Sequence, residues 1–162
     1  MDFRITGLSP ELFSPLFSIG DSELLHHKAA RRTVDSSPGF PCRISLDDAE
    51  VGETVLLLNY QHQSADTPFQ ASHGIYVREN VKPFDAVNLV PPALRRRILS
   101  IRGFDKDGWL IAADLADGKE LQTAISILFE NPQIAYLHAH YAKMGCFAAR
   151  VDRLGERDRH DS

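Results

Sequence analysis

The sequence predicts a single α+β domain built on a mostly antiparallel, strongly curved sheet with two or three helices. Three observations carry that expectation. Short apolar or alternating segments recur along the chain, as strands do, whereas only residues 117–129 keep a sustained helical period. Neighbouring strand-like segments are joined by turn residues too close for a helical crossover, which favours hairpins over parallel pairs. The chain has 162 residues, 43% of them apolar, with 18 basic against 22 acidic side chains. That suits one soluble domain able to bury its own core without a metal or disulfide. The domain is placed at residues 1–154. The charged stretch 155–162 lacks apolar residues and reads as a disordered tail.

The elements follow in order. Phe3-Arg4-Ile5 reads as a strand, and Ser9-Pro10-Glu11 as a capped helix start. Asp21-Ser22-Glu23 opens a second short helix, and Thr33 and Val34 mark a return to extended chain. After the turn-forming Ser36 to Gly39, alternation puts Cys42, Ile44 and Leu46 on one face of a strand. Thr54 to Tyr60 is continuously apolar enough to be a central strand, and residues 62–72 read as a long polar loop. Gly74 to Glu79 returns to a strand, and Pro91-Pro92 starts a helical turn. Arg97–Phe104 and Trp109–Leu115 form a hairpin closed by Gly108, with Ile101 opposite Ala113 and Leu99 opposite Leu115. Asp117 and Glu120 cap a helix whose apolar face is Leu121, Ala124, Ile125, Leu128 and Phe129. A last hairpin pairs 134–142 with 146–154 around Gly145.

Several function classes fall away. No apolar run approaches the ~20 residues needed to cross a bilayer as a helix. The first residues lack the pattern of a secretory leader, and two distant cysteines, Cys42 and Cys146, fit free thiols in a reducing compartment, so a cytoplasmic address is expected. Positive charge clusters only at 31–32 and 95–97, too little for a phosphate-backbone footprint, so nucleic acid is not an expected partner. Neither a Gly-rich phosphate loop nor a Gly-x-Ser-x-Gly or His-Glu-x-x-His signature occurs.

The chemistry-bearing pattern is His138-x-His140. On a strand both imidazoles face one way, about 7 Å apart at the backbone. If residues 142 and 146 are opposite, His138 pairs with Arg150 and His140 with Ala148. The polar face then carries Tyr136, His138, His140, Cys146, Arg150 and Asp152. Three readings compete with a structural one, in which the histidines satisfy neighbouring groups and Cys146 fills space. Arg43, Arg78 and Arg150 could act as anion-binding forks with His138, His140 and Cys146 beside them. His138, His140 and Cys146 could instead hold zinc, with Cys42 or His73 as fourth ligand and a metal-bound water as nucleophile. Cys146 or Cys42 could also be a histidine-activated nucleophile.

Pro41-Cys42-Arg43-Ile44-Ser45-Leu46, Phe69-Gln70-Ala71-Ser72 with Ile75-Tyr76-Val77-Arg78, and His138-Ala139-His140 through Gly145-Cys146-Phe147 to Arg150-Val151-Asp152-Arg153 together resemble the bacterial family called domain of unknown function 1203. Where the family pattern reads Ala-Ser-Gly-Pro, this chain has Ala71-Ser72-His73-Gly74, which adds an imidazole. The resemblance implies small single-domain relatives and no particular reaction. The sequence is therefore read first as a small-ligand domain for an anion, gathering Arg43, Arg78, His138, His140, Cys146 and Arg150. The alternatives are a metal-dependent enzyme on His138, His140 and Cys146, and an interaction module that forms a homodimer through an exposed sheet edge or apolar patch.

Overall fold

A computed structural model describes residues 1–155 and shows an antiparallel α+β fold in which the strands divide between two sheets. The expected single curved sheet is thus replaced by a six-stranded and a three-stranded one. Nine strands are described: β1 (Phe3–Thr6), β2 (Ala29–Thr33), β3 (Thr54–Gln63), β4 (Ala71–Arg78), β5 (Asp85–Val87), β6 (Ile98–Phe104), β7 (Leu110–Asp117), β8 (Tyr136–Tyr141) and β9 (Phe147–Arg153). The helices are α1 (Asp21–His26), α2 (Pro92–Arg95) and α3 (Leu121–Phe129). The large sheet runs β5-β1-β9-β8-β6-β7 and the small one β2-β3-β4. Among the described residues, no helix is long and apolar enough to cross a membrane. The tail expected at 155–162 lies, beyond Gly155, outside the described residues.

Helix α3 explains one face of the large sheet. Asp117 caps the preceding 3-10 turn by accepting from the Lys119 amide, and the apolar period then places Leu121, Ile125, Leu128 and Phe129 against Leu99, Ile101, Leu137 and Ala139. Each buried Leu, Ile or Phe among these contributes roughly 1.5–3 kcal/mol before conformational entropy is subtracted. The small sheet has its own core, with Leu24 of α1, Leu56, Leu58, Ile75 and Val77 packed around Cys42 and Ile44. Its strand β3 is central, as its sequence predicts.

Four expectations change. The Ser9 segment is not an α-helix but two short 3-10 turns, Pro10–Leu12 and Ser14–Ser18, because Pro15 has no amide to donate and interrupts a helix begun at Pro10. Residues 42–46 are not a strand. Cys42, Ile44 and Leu46 are all buried, but the chain turns between them, with the Leu46 amide donating to the Cys42 carbonyl and Leu46 at φ +54°. The loop after β3 is shorter than expected, since β3 continues through His62 to Gln63 across a bulge and β4 starts at Ala71. The β6–β7 register is shifted by one: Ile101 faces Asp114 and Leu99 faces Ala116, with a bulge at Gly103 and Phe104, so Ala112 and Ala116 pack on the core and Leu115 points outward.

The two sheets are joined where β1 ends. Gly7 donates to the Phe84 carbonyl, Phe84 to that of Ile44, and Leu8 to that of Arg43. A Cβ on Gly7 would lie 1.8 Å from the Ile44 carbonyl oxygen, so only glycine fits this joint. Gly7→Ala is therefore expected to cost about 1–3 kcal/mol, measured as a lower urea midpoint with an unchanged m-value. An unaltered midpoint would show that the joint can relax.

Candidate functional site

The turn over 41–48 places Arg43 between the sheets. Its amide donates to the Tyr76 carbonyl of β4, while its side chain crosses to the start of β9. There Nε donates to the Phe147 carbonyl at 2.7 Å, Nη1 to that of Pro41 at 2.5 Å and Nη2 to Cys146 Sγ at 3.0 Å. Arg43 is 2% exposed, and none of its hydrogen-bond acceptors is a carboxylate. A buried guanidinium normally has a counter-ion, because removing a lone charge from water is expensive. Here, among the described residues, no carboxylate is within ion-pair reach.

Arg43 lines a cavity of about 900 Å³. Arg97 and Tyr141 line it too, and the Tyr141 ring lies between two guanidinium carbons, 4.9 Å from that of Arg43 and 5.1 Å from that of Arg97. Asp48 accepts from Arg97 at 2.5 Å and from Arg96 at 3.0 Å, so one carboxylate answers two cations. Burial opposes ionisation of Asp48, but the Arg97 and Arg96 hydrogen bonds outweigh it and hold its carboxyl below the ordinary range. Burial pushes the Tyr141 phenol up to about 12, so it keeps its proton, and its oxygen has no hydrogen-bond partner among the described residues. Tyr76, Leu57, Ile98 and the exposed Met144 supply apolar walls, and exposed Lys143 adds a further cation at the rim. The arrangement sets positive charge and a buried, unpartnered phenol beside an apolar cleft.

A group of imidazoles stands on the other face of β8 from Tyr141. Arg102 pairs with His138 and Ser100 with His140, as β6 runs beside β8. His62, carried over the large sheet by the extended end of β3, brings its ring to 4.9 Å from that of His140 and 6.1 Å from that of His138. Phe147 stacks on His62 at 5.3 Å with the ring planes 7° apart. Burial is the largest cause depressing all three histidines, His62 to about 4 and His138 and His140 to about 3, with the Arg102 charge adding to each. They are neutral at physiological pH. His140 Nδ1 is 2.9 Å from the Gly145 carbonyl, whereas His140 Nε2 and the Nδ1 atoms of His62 and His138 are buried without a partner.

The six residues expected to form one site are distributed over four places. His138 and His140 stand together, and His138 faces Arg150 in the expected register. Beyond it a bulge opposes His140 to Phe147 instead of Ala148. That extra residue flips the alternation, so Phe147 joins the imidazoles and Cys146 leaves them for Arg43. Arg150 donates to Asp152 and lies 4.0 Å over the Tyr136 ring. Arg78 is held by both oxygens of Glu53 and by Asp47, so its charge is already matched. The Cys42 thiol accepts from the Ile44 and Arg78 amides inside the small-sheet core. Sequence reasoning missed His62, Arg97 and Tyr141. For His62 the signal was present: Tyr60 and His62 continue the period-two pattern of β3. Among the described residues, no three His, Cys, Asp or Glu side chains converge on a point able to hold an ion as they stand.

A family model described as "Protein of unknown function (DUF1203)" matches residues 39–153, well over half of the chain, which therefore belongs to that family. The matched span contains the cavity residues Arg43, Arg97 and Tyr141 and all three clustered histidines. Comparisons with curated proteins and with solved structures found no match.

The neutral imidazoles link stability to pH. In metal-free protein His138 and His140 stay uncharged in the fold but protonate in the unfolded chain below the ordinary 6.5. Their contribution is complete above that value and is lost as pH falls from there toward about 3. Each adds a slope of about 1.4 kcal/mol per pH unit within that window. Urea unfolding in a chelator is expected to show a lower midpoint at pH 5.5 than at pH 7.5, and His140→Phe should flatten the difference; a midpoint independent of pH would contradict the burial.

Proposed function

We propose that this DUF1203 chain binds a small organic anion, its negative group against Arg43 and Tyr141 and its apolar body along Tyr76, Leu57 and Ile98. The single observation behind this reading is the Arg43 guanidinium, buried at the cavity with two carbonyls and a thiol as its partners and no carboxylate. An incoming carboxylate, phosphate or sulfonate would provide the missing counter-charge, and a small shift of the Tyr141 ring would turn its buried, unpartnered O–H toward it as a donor. Arg97 and Lys143 add attraction without carrying the argument. The volume fits a drug-sized molecule better than an inorganic ion, and the apolar walls favour a ligand with a hydrocarbon or aromatic part.

Tyr141→Phe separates this reading from a purely structural one. It removes an oxygen that has no partner in the free protein, so stability should hold or rise slightly. Calorimetric titration with octanoate, octyl phosphate and an aryl sulfonate is expected to show one site for at least one of the three. For that anion, Tyr141→Phe should bind about 10–100-fold more weakly, the equivalent of a hydrogen bond to a charged group. Binding by none of them, or equal binding by the parent and Tyr141→Phe, would overturn the proposal and leave Arg43 as a tie between the sheets.

A further inference from the structure

The three imidazoles lie outside the proposed anion pocket and pose a separate question, because each has a buried ring nitrogen with nothing to bond. Buried polar atoms without partners are rare in native proteins, and an ion or water commonly accounts for them. The tautomer of His140 narrows the choice. A carbonyl can only accept, so the 2.9 Å contact to Gly145 puts the His140 proton on Nδ1 and leaves Nε2 as a bare lone pair. An imidazole anchored through one nitrogen to a backbone carbonyl, its other nitrogen directed into a group of histidines, is how metal-ligating histidines are usually oriented.

We propose that His62, His138 and His140 form a binding site for a divalent transition-metal ion of the zinc class. With ring nitrogens at 2.0–2.1 Å from an ion, ring centres sit about 3.2 Å from it, so two ligating rings are separated by about 5.2 Å at a tetrahedral angle and at most about 6.4 Å. The observed separations are 4.9, 6.1 and 6.3 Å, so each pair is within reach of a shared ion, but a point equidistant from all three ring centres lies about 3.4 Å from each and the rings must draw in by a few tenths of an ångström or more to bind together. The donor atoms do not meet at one point in the metal-free chain, so capture requires ring rotation. His62, half-buried at the end of β3, has more freedom to rotate than His138 and His140, which are 3% and 1% exposed. Three neutral nitrogen ligands suit zinc, cobalt, nickel or copper and not calcium or magnesium, which take oxygen.

The surroundings shape the affinity. Arg102 on β6, Arg150 on β9 and His73 on β4 face the cluster, and each disfavours added positive charge there. With no carboxylate or thiolate among its ligands, the site should bind more weakly than one that has them. The same cations would favour an anionic fourth ligand. Cys146, bonded to Arg43 and not to the imidazoles, is not part of the set. This inference does not rest on the anion reading, and the pocket residues Arg43 and Tyr141 take no part in it.

The test is titration of untagged full-length protein with Co²⁺, followed by its visible absorption, with Zn²⁺ as competitor. One ion per chain is expected, with the absorption of a low-coordinate site. His62→Phe keeps a ring to stack on Phe147 but removes the nitrogen, and should weaken binding at least about tenfold. His26→Ala with His27→Ala, on the exposed end of α1, should leave it unchanged. If His62→Phe loses its fold by circular dichroism, paramagnetic NMR of the parent decides instead: the ring protons of His62, His138 and His140 should show the largest Co²⁺-induced shifts. No binding, binding indifferent to His62→Phe in a folded variant, or shifts confined to His26 and His27 would overturn the site.

Discussion

The arrangement depends on placing one guanidinium between two sheets. Arg43 reaches from a turn hydrogen-bonded to β4 across to the start of β9, where it donates to the Phe147 carbonyl and the Cys146 thiol, while its third nitrogen donates back to Pro41 in its own turn. Those bonds engage three of its five N–H groups and bring no carboxylate to its charge. A fold that only needed to tie the sheets together could do so with a neutral donor, and replacing buried charge by apolar volume is often neutral or stabilising. Retaining an arginine there, beside a phenol that also lacks a partner, has a direct rationale when the cleft receives an anion.

The same packing sets up the second group. Alternation on β8 sends Leu137, Ala139 and Tyr141 toward α3 and its core, and His138 and His140 the other way. That second face would be open to solvent had β3 ended where its apolar run ends. Because β3 continues, His62 and Gln63 cover it, with Gln63 donating to the Tyr136 hydroxyl at 2.9 Å. Polar residues that an isolated sheet would leave wet are thereby buried, which depresses the imidazoles and strands their nitrogens. The histidine cluster is therefore a consequence of the small sheet laid over the polar face of the larger one, while the anion pocket takes Tyr141 from the opposite face of β8.

Local pattern made much of this legible. The amphipathic period of α3, the turn at Gly145 and the pairing of His138 with Arg150 all follow from spacing, and the structure has them. The places where reading failed have a shared cause. Each bulge, at Gln61–Gln63, at Gly103–Phe104 and opposite His140, adds a residue that alternation cannot foresee and reverses every side chain beyond it. The last of these moved Cys146 away from the histidines. Arg43 is singled out by the sequence, but its neighbours Arg97 and Tyr141 come from distant positions, and only tertiary packing brings them together. Arg78 looked equivalent to Arg43 in sequence, and only the positions of Glu53 and Asp47 distinguish a matched charge from an unmatched one.

That distinction is directly measurable. In ¹⁵N-labelled protein, the Nε–H resonance of each arginine reports its own environment during titration with octanoate or octyl phosphate. An anion entering the cleft should move the Arg43 and Arg97 signals together and saturably, while Arg78, already held by two carboxylates, stays in place. Movement of Arg78 and the exposed arginines without Arg43, or no saturable movement at all, would contradict the account.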